Sequence, residues 1–133
     1  MTNQPINKPR IANYYGVLVV LILLFQCSSN PSQLPDPLEA GWEGEKVCEC
    51  VEEQPSLRIL KCTFPPGVGH ERHFHATHFG YTLKGSTFRI TDAIGTREVE
   101  VKTGTKFYNE SIEWHEVKNI GDSTAIYLIM EPK

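Results

Sequence analysis

From position 47 to its end the chain is a succession of short β-favouring runs, each stopped by residues that turn the backbone. The runs are 57–64, 81–91, 97–102, 105–109, 114–119 and 124–131. Between them stand Pro65-Pro66-Gly67, Asp92 to Gly95, Thr103-Gly104 and Ile120-Gly121-Asp122, which supply the fixed or positive φ of tight connections. In 97–102, Val99 and Val101 alternate with Glu98, Glu100 and Lys102, the two-residue period of a half-buried strand. No run has the length and period of an amphipathic helix. Short strands recurring roughly every 8–12 residues predict an all-β sandwich or small barrel, and 133 residues at 40% hydrophobic suit one such domain. A net charge of −3, with no basic face to track a phosphate backbone, excludes nucleic acid as a partner. The glycine motifs of nucleotide binding and the G-x-S-x-G elbow are absent, which sets aside nucleotide-dependent and serine-hydrolase chemistry.

The N-terminal region reads differently. Lys8 and Arg10 precede an uncharged apolar run, 17–25, that stops at Gln26-Cys27-Ser28-Ser29-Asn30, the layout of a signal peptide. Even counted from Ile11 the run is shorter than the ~20 residues that cross a bilayer comfortably. Cys27 stands where a bacterial lipoprotein signal places its lipid acceptor. Leu24 fits the apolar position before it, and Gln26 replaces the small residue usual there. Residues 1–26 are therefore expected to be a signal peptide or N-terminal anchor. Residues 27–41, with Pro31, Pro35 and Pro37, are expected to be a lipid-bearing tether, and 42–133 the folded domain. The expected location is the bacterial cell envelope, lipid-anchored and facing the periplasm or exterior, with the N-terminus as the membrane contact.

With Cys27 assigned to lipid, Cys48, Cys50 and Cys62 remain in a compartment where disulfides persist. If 47–51 and 57–64 form a hairpin turning near Pro55, Cys48 and Cys62 are equidistant from the turn and face each other. Cys48–Cys62 is then the expected pair; the alternative is three ordinary thiols, because sequence alone does not fix the register.

Four of the five histidines fall in G-H-E-R-H-F-H-A-T-H, from Gly69 to His78, and the fifth is His115. Residues two apart on a strand project from one face, so His73 and His75 can aim both imidazoles at one point inside a barrel. Neutral imidazole suits Fe, Mn, Ni, Cu and Zn to differing degrees, and His78 and His115 are the candidates to complete a set around one divalent transition metal. Any one of these histidines alone would more often be structural; shared convergence is what a ligand set requires. His70 is expected to face solvent or cap the loop. Glu71 is expected at the barrel mouth, as a solvated charge or an outer partner of His73. Phe79, Tyr81, Phe88 and Phe107 fit core and pocket wall, with Tyr108 and Trp114, which precede His115, placed to line a ligand pocket.

Across about 57–131 the chain resembles the cupin family, whose two motifs bring an H-x-H pair and a later histidine onto one metal. Gly67, five residues, His73-Phe74-His75 and a closing Gly85 match the first motif. Gly104, His115 eleven positions on, and Asn119 after three more residues match the second, with Glu110 and Ile112 where the family has Pro and Gly. His78 stands where the family has a glutamate ligand. The resemblance implies a double-stranded β-helix, or jelly-roll barrel, and a metal bound by His73, His75, His115 and His78. It also implies a homodimer and a small-molecule ligand. An all-histidine set is similar to that of three-histidine iron dioxygenases, which implies metal-dependent oxidation or isomerisation of a small polar molecule. The alternative is a non-catalytic cupin acting as a small-ligand or metal-binding module.

Overall fold

A computed structural model describes residues 34–133; the expected signal or anchor segment and Cys27 lie outside the described residues. The strands are β1 (Gly41–Trp42), β2 (Glu45–Lys46), β3 (Cys48–Gln54), β4 (Leu57–Phe64), β5 (Gly69–His75), β6 (His78–Lys84), β7 (Ser86–Asp92), β8 (Gly95–Val101), β9 (Lys106–Asn109), β10 (Ile112–Asn119) and β11 (Ala125–Pro132). No helix is present among the described residues. Beyond a small β1–β2 hairpin there are two antiparallel sheets, ordered β5-β10-β7-β8 and β3-β4-β11-β6-β9. The fold is an all-β jelly roll.

Alternation along the central strands builds the interior. On β11, Ala125, Tyr127, Ile129 and Glu131 point inward, directly opposite Phe64, Cys62, Leu60 and Arg58 of β4. Phe64, Phe88 and Tyr127 meet edge to face, with Phe64 and Phe88 centroids 5.4 Å apart at 90°, a geometry that adds to their area burial. Phe107 occupies the space a Cβ at Gly80 would need, so glycine is what lets that ring lie over β6.

Residues 34–41, assigned above to the tether, are packed in this structure. The Asp36 carboxylate accepts the Leu38 and Glu39 amides and pairs with Arg58 Nη1 at 2.8 Å. Pro37 and Ala40 are buried, and the Phe74 amide donates to the Pro35 carbonyl. A side chain that caps its own turn and holds a guanidinium gives this stretch the partners a solvated tether lacks.

Cys48 and Cys62 are disulfide-bonded, and Cys50 is an exposed free thiol. Their alignment depends on an irregularity. Gln54 faces Leu57, and a regular ladder running back from there would set Cys48 against Thr63. A register shift between Cys50 and Glu52 leaves Val51 as an extra residue, and Cys48 faces Cys62. The bond closes a sequence separation of 14, which by loop-closure entropy stabilises the fold by about 3 kcal/mol. The Cys48→Ser/Cys62→Ser double variant should lose stability of that order in urea unfolding, and an unchanged midpoint would refute it.

Candidate metal centre

The site is built where β5 and β10 run side by side. Ile112 pairs with His75, His115 with His73, and Val117 with His70, so β10 carries one extra residue before His115 and β5 one extra after His70. Bulges re-aim side chains. Here they set His115 opposite His73 and change the facing of β5, so that His70, His73 and His75 all turn inward while Glu71 and Arg72 both face out. His70, expected at the surface, is 2% exposed, and its ring lies 3.8 Å from that of His73. Trp114 is not a pocket wall. It sits in the extra stretch of β10 and stacks outside against Arg72, whose Cζ lies 3.7 Å from the ring centroid. Tyr108 is 63% exposed and Phe79 also faces out, because both lie on the outer face of the five-stranded sheet. Glu71 is exposed and accepts the Glu43 amide.

Three imidazoles converge. His73 Nε2 is 3.1 Å from His75 Nε2 and 3.0 Å from His115 Nε2, and the three side chains form a group able to hold a metal ion. The other nitrogens of His73 and His75 fix their tautomers. His73 Nδ1 donates to the Glu71 carbonyl at 2.6 Å, and His75 Nδ1 donates to Glu131 Oε1 at 3.3 Å. With both rings neutral, the two Nε2 atoms present lone pairs to each other, an arrangement that repels unless a proton or a cation lies between them. Protonation is disfavoured at His73 and His115. Desolvation, with neighbouring His70 next in weight, drives the His73 pKa down to about 2. Desolvation followed by His75 drives that of His115 to about 3. The donor set fits a metal: three imidazole nitrogens, spaced much as ligands about 2.1 Å from one ion would be.

His78 stands apart from this group. Its Nδ1 donates to the Ala76 carbonyl at 2.8 Å, and its Nε2 accepts from Asn109 Nδ2 at 3.1 Å, so both ring nitrogens have protein partners. It still lines the same cavity, 4.6 Å ring to ring from His75, and burial lowers its pKa.

The cavity around the histidines measures about 520 Å³, within the range of small-molecule sites. Its walls are largely apolar, including Phe88, Ile90, Val101, Phe107, Val117 and Ile129. At its open side, the exposed Ile94 sits beside Arg97, which pairs with Asp92 at 2.7 Å. Tyr127 also lines the cavity, and burial alone raises its pKa.

Behind His75 lies a charged group that reading the motifs missed. Glu131, 2% exposed, gives Oε1 to His75 and Oε2 to Arg58, whose Nε and Nη2 donate to it at 2.8 and 2.5 Å. Burial works to raise the Glu131 pKa, but the His75 and Arg58 hydrogen bonds outweigh it and the carboxyl is held below its usual range. The available signal was parity: Glu131 continues the inward row of Ala125, Tyr127 and Ile129, and a charge on an apolar face asks for a partner.

Comparison with protein families matches residues 60–131, more than half of the chain, to a cupin domain. The chain belongs to the cupin family. Among solved structures, this cupin is similar to a cupin domain from Bordetella pertussis Tohama I, with 16% identity and a TM-score of 0.61 over 65% of this chain and 92% of that one. It is similar to an RmlC-like cupin with a double-stranded β-helix fold from Methanocaldococcus jannaschii, at 14% identity, TM-score 0.53, and 65% and 78% coverage. It is also similar to the polyketide cyclase RemF from Streptomyces resistomycificus, at 20% identity, TM-score 0.53, and 64% and 63% coverage. At these identities the likeness is one of fold. Comparison with curated proteins found no match.

The buried histidines make the metal-free cupin acid-sensitive. His70, His73 and His115 have folded pKa values near 4, 2 and 3 against 6.5 for a free histidine. Below about pH 6.5 the unfolded chain takes up protons that the folded one does not, so stability falls as pH drops. Urea midpoints of metal-free protein should be lower at about pH 5 than at about pH 7.5; equal midpoints would contradict this burial.

Proposed function

We propose that this cupin binds one divalent transition metal through His73, His75 and His115 and uses it to hold and convert a small molecule in the cavity above. The observation that carries the reading is the convergence of three Nε2 atoms, two locked as lone-pair donors, in a pocket with room for a ligand. A metal on three imidazoles keeps coordination positions open and can act as Lewis acid or O₂ activator, which supports oxidation or isomerisation. An all-nitrogen set is compatible with Fe, Mn, Ni, Cu or Zn.

The walls refine the ligand. A small molecule polar all round would set its groups against Phe88, Phe107 and Ile129, at roughly 2–7 kcal/mol for each group left without a partner. A molecule with an apolar body and oxygen donors at one end fits better: the oxygens meet the metal, and the body meets the aromatic wall. The non-catalytic alternative, a barrel that stores the metal or ligand without turnover, uses the same residues.

Anchoring at the bacterial envelope through a lipid on Cys27 belongs to the same proposal and is supported by the signal-like sequence around 8–30. Homodimerisation is supported by an apolar row on the outer sheet face, where Ile59, Met130, Phe79 and Tyr108 lie side by side across β4, β11, β6 and β9. Phe79→Glu should therefore halve the mass seen by sedimentation; a wild type that sediments as a monomer would remove this part.

Elemental analysis of protein prepared without added metal tests the central claim. Wild type should carry about one equivalent of a transition metal, and His73→Ala and His115→Ala should carry none. A folded wild type that stays metal-free after reconstitution would overturn the reading. Metal without conversion of any ligand would favour the storage alternative.

A further inference from the structure

The three converging histidines bring no negative charge to a divalent ion, and at the family's glutamate position stands His78, whose ring nitrogens are otherwise engaged. A +2 charge in a largely apolar cavity is costly unless an anion lies near. Among the described residues, two carboxylates approach the histidine cluster from inside the barrel. Asp92 is paired with Arg97 at the open side. Glu131 is buried directly behind His75.

We propose that Glu131 is the carboxylate of this metal centre, acting one residue removed, through His75. The claim rests on the metal reading above. Three features carry it. Glu131 is placed by the β4–β11 ladder directly opposite Arg58, so strand register rather than a flexible loop sets its position. Arg58 puts two donors, Nε and Nη2, on the same oxygen, Oε2, which leaves Oε1 for His75. The third guanidinium nitrogen, Nη1, is taken by Asp36 at 2.8 Å. Asp36, Arg58 and Glu131 together therefore carry one net negative charge, and the atom through which it reaches the site is His75 Nδ1.

A carboxylate accepting from the far nitrogen of a metal-bound imidazole holds the ring's angle and raises the donor strength of Nε2. Glu131 is in this sense a positioning residue; it does not touch the metal or the substrate. It returns the anionic character that an all-histidine set lacks, while leaving the open coordination positions free. The packed segment 34–41 gains a role as well, because Asp36 keeps Arg58 from neutralising Glu131 fully.

The test is Co²⁺ titration of the full-length chain, with the dissociation constant from chelator competition and the visible absorption of bound Co²⁺ as a direct reading of the ligand field. Glu131→Gln keeps an acceptor for His75 and removes the charge, whereas Glu131→Ala removes both. Glu131→Gln should weaken Co²⁺ binding by roughly 10–100-fold and shift the absorption, with Glu131→Ala weaker still. A purely structural role would lower the melting temperature and leave the spectrum of bound Co²⁺ unchanged. Should Arg58, stripped of its partner, prevent these variants from folding, Asp36→Asn is the second probe, and it should weaken binding several-fold. Wild-type affinity and spectrum in whichever of these variants fold would overturn the proposal. Loss of Co²⁺ in His73→Ala alongside unaltered binding in Glu131→Gln would sink this inference and leave the metal reading standing; a wild type that takes no Co²⁺ would sink both.

Discussion

Desolvation governs this end of the barrel. All five histidines line one cavity, and burial makes a charge on His70, His73, His78 or His115 expensive. Backbone carbonyls answer part of that demand by taking the Nδ1 protons of His73 and His78, and Glu131 takes that of His75. The Nε2 atoms of His73 and His75 are thereby turned towards each other as bases. The rest follows from keeping those bases close: bulges that align β5 with β10, an arginine that holds the carboxylate, and a leading segment that holds the arginine.

How much of this was legible depended on whether a signal was local. The strand runs and turn residues announced an all-β chain because each lies within a few positions. His73 and His75 could be placed together because their two-residue spacing is a property of one strand, and His115 joined them through the motif spacing. The cysteine pair could be matched by its symmetry about Pro55, yet the turn takes in both Pro55 and Ser56, and the pair aligns only because Val51 bulges. His70 was misjudged for a related reason. Alternation assumes an unbroken ladder, and one extra residue on β5 between His70 and His73 reverses which side chain faces in.

Glu131 shows the other limit. It is distant in sequence from both Arg58 and His75, and the three meet only when β11 lies beside β4 and one sheet closes over the other. Motif reading finds residues that touch a metal, since these recur at fixed spacing. It does not find groups that act on them from a neighbouring strand. Strand parity comes nearer, for a charge at the end of an apolar row marks a position whose partner has to be sought across the barrel. The boundary at 42 failed similarly, because proline-rich composition reads as solvated until Asp36 is seen against Arg58.

The two bulges between β5 and β10 cancel. Register at His75 and at His70 is the same, and the slip is confined to the few residues between, with His73 and His115 inside it. The neighbouring β10–β7 ladder runs without interruption from His115 to Asn119. Insertions or deletions in 71–72 and 113–114 can thus be exchanged against one another while the β10–β7 ladder and the two ends of the β5–β10 ladder keep their pairing. The histidine pair occupies a replaceable insert in the barrel wall, which gives a lineage a way to alter what the interior holds without redesigning the fold around it.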